Sequence, residues 1–137
     1  MKNPHNIILR PHITEKSVGL SYGDDQGALK RLRNEAKKAA PGDKKAREVQ
    51  VTDEDLVRKY TFIVARDANK IEIKSAIEAI YNEGKKADQA ISVTAVRTVK
   101  VLGKKRKRGQ RSSGFEPDRK KAIVTLAKGQ MLEDYGV

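Results

Sequence analysis

The chain contains no cysteine and no tryptophan. Without thiols there are no disulfides, no thiolate metal sites and no cysteine nucleophiles, and a reducing compartment is permitted. Aromatic residues are scarce: Tyr22, Tyr60, Phe62, Tyr81, Phe115 and Tyr135 are the full set. A protein that reads single strands by stacking bases on rings needs more. Any nucleic-acid contact here must rest on phosphates and shape. No apolar run approaches the roughly 18 residues of a membrane span. Met1, Lys2, Asn3, Pro4 and His5 lead straight into Ile7-Ile8-Leu9, too short for a signal-peptide core and followed by no small-residue cleavage site. The expectation is a cytoplasmic, unexported chain without direct membrane insertion.

Catalytic and cofactor signatures are missing as well. Gly103, Gly109 and Gly114 have neither the G-x-x-x-x-G-K-[ST] nor the G-x-G-x-x-G spacing that cradles phosphates. No His/Asp/Glu group has metal-ligand spacing. Asp53-Glu54-Asp55 lacks the alternating ladder and terminal glutamate of a calcium loop. His5 and His12 are lone imidazoles, with no carboxylate or nucleophile spaced to use them. The expectation is a protein that is not an enzyme and carries no cofactor.

What the chain has is positive charge, unevenly placed. The net charge is +12 over 137 residues, and the pI of about 10.0 lies above the value of roughly 9 that flags nucleic-acid binders. Residues 97–121 hold eleven Lys/Arg against Glu116 and Asp118. At their centre stands Lys104-Lys105-Arg106-Lys107-Arg108-Gly109-Gln110-Arg111, six cations in eight residues with no apolar side chain. In water alone such a run buries nothing and repels itself, so the sequence predicts a loop that orders on a polyanion. Nucleic acid is the simplest polyanion with dense, fixed charge. Two apolar alternating stretches flank the run, residues 91–101 and 121–126, and both read as strands. A basic run by itself also occurs in localisation tags and heparin patches; placement between two strands sharpens it.

In chain order, Ile7-Ile8-Leu9 reads as an edge strand ended by Pro11. Thr14 is a helix cap, with Glu15 at the positive end of a short helix. Across residues 23–57 eight cations balance eight acids. This segment reads as an inserted, charged extension, helical over about 28–40 with Leu29, Leu32, Ala36 and Ala39 as a thin stripe, and a poor polyanion binder because its net charge is zero. Residues 59–66 read as a strand with Tyr60, Phe62 and Val64 on one face. Asn69 and Glu72 form a capping box for a helix to about Asn82, with Ile73, Ala76, Ile77 and Ile80 facing a sheet and Gly84 stopping it. After residue 126 comes a turn, then a short helix or tail over 131–135. The expected fold is α+β: a small, mainly antiparallel four-stranded sheet, a helix packed on it and a long basic hairpin loop over 103–120, in one domain spanning 1–137.

Three blocks resemble the universal large-subunit ribosomal protein family number twenty-three, in its bacterial-type form. They are Leu9-Arg10-Pro11-His12-Ile13-Thr14-Glu15-Lys16-Ser17, then Tyr60-Thr61-Phe62-Ile63-Val64 with Asp67-Ala68-Asn69-Lys70-Ile71-Glu72-Ile73-Lys74, then the basic run with Gly114-Phe115-Glu116-Pro117-Asp118-Arg119-Lys120-Lys121-Ala122-Ile123-Val124-Thr125-Leu126. The resemblance covers the chain apart from residues 23–57. It implies a structural protein of the cytoplasmic large ribosomal subunit that binds large-subunit rRNA beside the polypeptide exit tunnel. The implied partners are rRNA, neighbouring ribosomal proteins and, transiently, trigger factor, the signal recognition particle and the translocon. The candidate RNA-binding residues are Arg10, His12, Lys16, Lys70, Lys74, Arg97, Lys100, Lys104, Lys105, Arg106, Lys107, Arg108, Arg111, Phe115, Arg119, Lys120 and Lys121. Phe115 has two open readings, a stacking platform or packing on the loop stem. The resemblance also implies chaperone docking at Glu15, Tyr81 and Asn82. Two departures stand out: Arg119 occupies a position where members commonly carry Trp, and residues 23–57 are extra, since members usually pass from the short helix to the next strand within a few residues; in the docking pair, Asn82 stands where members carry a second acid.

Two other function classes compete. A free nucleic-acid-binding regulator needs an exposed reading helix or paired aromatics on a strand. A small nuclease needs a carboxylate or histidine constellation, and none is present.

Overall fold

Large apolar residues at every second position from Tyr60, interleaved with Thr61 and Ile63, make the most deeply buried strand, β2 (Lys59–Val64). In this computed structural model, which describes residues 3–39, 50–109, 112–132 and 135, β2 lies inside a four-stranded antiparallel sheet. The order is β1 (Ile8–Pro11), β2, β6 (Arg119–Leu126), β3 (Val93–Val101). β1 is an edge strand, as Pro11 predicts, since proline cannot donate to an inner ladder. Before it stands a four-residue helix, α1 (Pro4–Ile7), absent from the sequence reading; Asn3 caps it, accepting from the His5 amide at 3.0 Å.

One face of the sheet is covered by α4 (Lys70–Tyr81). Its start is the expected capping box: the Glu72 amide donates to Asn69 Oδ1 at 2.9 Å, and the Asn69 amide donates to Glu72 Oε2 at 3.2 Å. Gly84, at φ 75°, takes up the left-handed conformation that ends the segment. Ile73, Ala76 and Ile77 are buried against Tyr60, Phe62, Val64, Ala122, Val124 and Leu126, with Ile7, Ile8, Ile91 and Val93 closing the cluster. Tyr135 finishes it from the far end of the chain. Its ring lies 4.8 Å from that of Tyr60 and 5.7 Å from that of Phe62, both edge-on. Its hydroxyl donates to the His12 carbonyl at 2.8 Å. Leu132 and Tyr135 thus both dock on the core, Leu132 through its amide on Tyr60 Oη at 3.1 Å.

On the other face of β2, Thr61 and Ile63 are buried too, and α2 (Glu15–Ser21) packs on this strand. Thr14 caps α2, the Ser17 amide donating to its hydroxyl at 3.2 Å. The charged extension contains a longer helix than predicted, α3 (Asp25–Ala39). It touches the body along one seam, where Ala28 and Leu56 are buried and Arg31 donates to the Asp55 carbonyl at 3.4 Å. Asp55 is itself held by Thr52, whose hydroxyl and amide donate to Oδ2 at 2.8 and 3.1 Å. Those bonds hold its carboxyl below the usual value.

Within the basic run, β4 (Lys105–Arg108) and β5 (Ser112–Phe115) form an antiparallel two-stranded ribbon, Lys105 opposite Phe115 and Arg106 opposite Gly114. Charge patterning predicts repulsion but says nothing of the ladder hydrogen bonds that pairing supplies. No helix among the described residues is long and apolar enough to cross a membrane.

Candidate nucleic-acid interface

The ribbon is joined to the sheet by a tight stem. The Glu116 amide donates to the Lys104 carbonyl at 2.9 Å, and the Gly103 amide donates to Asp118 Oδ1 at 2.6 Å. A Cβ on residue 103 would lie 1.6 Å from the Glu116 carbonyl oxygen, so the two chains approach this closely only with glycine there. Beyond the stem, side chains alternate between the ribbon's faces. Lys105 and Lys107 share one face with Phe115, which is 77% exposed. That exposure leaves the ring open to solvent rather than packed on the stem. Arg106 meets Glu116 at 2.8 Å, but both side chains are largely exposed and the pair adds little. Lys104 is exposed. Arg108 contributes its backbone to β4, and Arg111 lies outside the described residues.

The register of the sheet gathers a second group of cations. Arg10 stands opposite Ile63, Ile63 opposite Lys121, and Lys121 opposite Val99, so these four form one row across the sheet. Arg97 pairs with Ile123 and Arg119 with Val101 on the same face. This is the face turned away from α4, and it mixes exposed cations with partly exposed aliphatic side chains. His12 follows β1 at its edge. Burial lowers its pKa below the usual 6.5, and Lys121, Arg10 and Arg119 lower it further. The imidazole is therefore neutral at pH 7 in a field of three cations. The folded value lies below the unfolded one, so protonation opposes folding. The free chain should lose stability as pH falls through 6.5 and the folded value below it. A polyanion laid on the same face should raise the His12 midpoint. An NMR titration of His12 with and without RNA checks this, and a midpoint unmoved by RNA would place the ligand elsewhere.

On the α4 side, Lys100 stands directly opposite Lys120, a like-charge pair that destabilises a sheet unless an anion lies between. Lys120 is anchored, its Nζ donating to the Ala68 carbonyl at 2.5 Å. Beside this pair opens a cavity of about 240 Å³, lined by Arg66, Lys100, Val101, Leu102, Asp118, Arg119 and Lys120. The sequence places Arg66 at the end of a strand and marks it as no site residue; the signal available was a cation two residues past the end of β2. Lys16 on α2 and Lys70 and Lys74 on α4 are exposed but belong to no such cluster.

The expected docking residues are dispersed over two helices. Glu15 opens α2 and is exposed. Tyr81 is half-buried, its ring 6.1 Å from that of Phe62. Asn82 is committed to the fold: its side-chain Nδ2 donates to the Ile91 carbonyl at 3.0 Å and its Oδ1 accepts from the Ile91 backbone amide at 2.6 Å. Among the described residues no cluster of three or more His, Asp or Glu could hold a metal ion.

The family model for ribosomal protein L23 matches residues 43–133, the span that holds β2, α4, β3, the ribbon and β6. Curated proteins named large ribosomal subunit protein uL23 match nearly the whole chain. That of Roseiflexus sp. (strain RS-1) is 37% identical over 131 residues, covering 96% of this chain and 94% of its own. That of Bifidobacterium longum (strain DJO10A) is 33% identical over 135 residues, covering 98% and 94%. That of Endomicrobium trichonymphae is 38% identical over 128 residues, covering 93% and 91%. The chain belongs to the ribosomal protein L23 family, a family of structural rather than enzymatic proteins of the large ribosomal subunit.

Proposed function

We propose that the protein binds large-subunit rRNA beside the polypeptide exit tunnel of cytoplasmic ribosomes, through the ribbon and the cationic sheet face. We propose further that it offers Glu15 and Tyr81 to trigger factor, and the surrounding surface to the signal recognition particle and the translocon. The observation that carries the RNA reading is the ribbon: Lys104, Lys105, Arg106 and Lys107 stand free of the core on a two-stranded arm, beside an exposed phenyl ring and above a stem closed by backbone contacts. Such an arm has no folded partner among the described residues and matches a groove lined by phosphates. A free regulatory role is disfavoured because α4, the helix a reading element would need, buries its apolar face in the core.

Sucrose-gradient co-sedimentation of the tagged full chain tests the reading. The protein should travel with large subunits and remain there in high salt. A peak at the top of the gradient would reject the proposal. In the same subunits Glu15→Ala should leave incorporation intact and lower trigger-factor affinity. The alternative is that Glu15 serves only the α2 dipole, worth roughly 0.3–1 kcal/mol in a first turn. In that case trigger-factor affinity would be unchanged.

A further inference from the structure

The zero net charge of residues 23–57 hides a segregation that only the fold reveals. α3 carries five cations, Lys30, Arg31, Arg33, Lys37 and Lys38, against Asp25 and Glu35. At 100° per residue, Lys30, Arg33 and Lys37 fall within one 60° sector, with Gln26 beside them. That sector lies opposite Ala28, the residue buried at the seam with the body. The seam is where opposite charges meet: Ala28, Arg31, Leu32, Glu35, Asp55 and Lys128 line one shallow cleft, and Lys128 reaches Asp55 at 3.8 Å. The outward sector is different. Gln26, Leu29, Lys30, Arg33, Asn34 and Lys37 line an open groove without an acid. Among the described residues nothing pairs with Lys30, Arg33 or Lys37. The three cations rise along the helix over about 10 Å, two turns, at steps of about 4.5 and 6 Å.

We infer that the outward face of α3 is a second RNA-contacting surface, which takes the phosphate backbone of an rRNA segment other than the one held by the ribbon. The charge decides the partner: three cations in a line, unpaired among the described residues and flanked in their groove by the amides of Gln26 and Asn34, match successive phosphates. The face carries a single half-exposed leucine, Leu29, too little apolar surface for a protein partner to bury. Because the cations project away from the seam, the helix can lie along RNA without leaving the body. The inference rests on the rRNA-binding reading above and extends it to the inserted segment.

The test uses the full chain and protein-free large-subunit rRNA. Lys30→Gln, Arg33→Gln and Lys37→Gln combined should lower the salt slope of binding by roughly 2–3 units, at 0.7–0.9 per lost phosphate contact. A matched triple change in the ribbon, Lys104→Gln, Lys105→Gln and Lys107→Gln, runs in parallel. Loss of slope in the ribbon variant alone would overturn the α3 inference and leave the rRNA reading standing. An unchanged slope in both variants would overturn the rRNA reading itself. A photo-crosslinking residue at Asn34 in assembled large subunits gives the second readout. Crosslinks to rRNA are expected; crosslinks only to a neighbouring protein, or none, would overturn the inference. Circular dichroism of the α3 variant should match the parent, since none of the three side chains contributes to the core.

Discussion

Replacing Lys104, Lys105, Arg106, Lys107, Arg108 and Arg111 with glutamine is expected to remove a large part of the salt dependence of RNA binding, roughly 4–5 units of log–log slope at 0.7–0.9 per phosphate. A protein making that many contacts loses about three orders of magnitude in affinity between 50 and 200 mM salt. The variant should therefore bind more weakly at low salt and keep only the smaller salt slope supplied by the sheet face and α3. Its fold should survive, because no ribbon residue is part of the buried cluster. The ribbon also has little to hold it when alone. Two strands without a third, and without an apolar face packed on the body, are marginal in water. Its ladder is four residue pairs long. Hydrogen exchange should thus be fast across β4 and β5 in the free protein while β2 and β6 are protected, and RNA should slow it. A slope that is unchanged in the six-fold variant would move the phosphate anchor to the sheet face and α3.

Much of this could be read from the residues, for reasons specific to each element. α4 was legible to its ends because its signals are local: the Asn69/Glu72 box, the apolar spacing from Ile73 to Ile80, and Gly84. β6 was legible because its alternation carries over into burial; β2 and β3 were legible from their apolar residues, although β2 is buried on both faces and β3 is mostly exposed. The position of the basic run was legible, but its ladder was not. Pairing of Lys105 with Phe115 depends on the stem contact between Gly103 and Glu116, and a tight approach of two backbones leaves no mark beyond a glycine. The cavity at Arg66 was likewise hidden, because it forms where three separated segments meet. Net charge is blind to face in residues 23–57, since counting eight cations against eight acids discards which face of α3 each one occupies. The pinning of Tyr135 over Tyr60 and Phe62 is a contact across more than seventy residues, which no local pattern encodes.

Phe62→Ala is expected to be the most damaging single substitution for the free protein. The ring is 1% exposed and sits in β2 between the rings of Tyr81 and Tyr135, at 6.1 and 5.7 Å. Deleting it removes its own buried area and leaves both neighbours facing a cavity, a loss of about 3–5 kcal/mol. Domains of this size hold about 5–15 kcal/mol in total, so the variant should melt at much lower temperature, or be largely unfolded, when free. Phe62→Leu keeps most of the volume and should cost less than about half as much. RNA changes the balance by mass action. If only the folded state binds, rRNA at one hundred times its dissociation constant returns about 2.7 kcal/mol. Urea unfolding with and without an rRNA fragment measures both quantities at once. The RNA increment should be the same for the parent and for Phe62→Ala, because the ring lies in the core and the contacts lie on the ribbon and the opposite face. A smaller increment in the variant would mean that the sheet core and the RNA surface are coupled, the core setting the register that brings Arg10, Lys121 and Arg119 together.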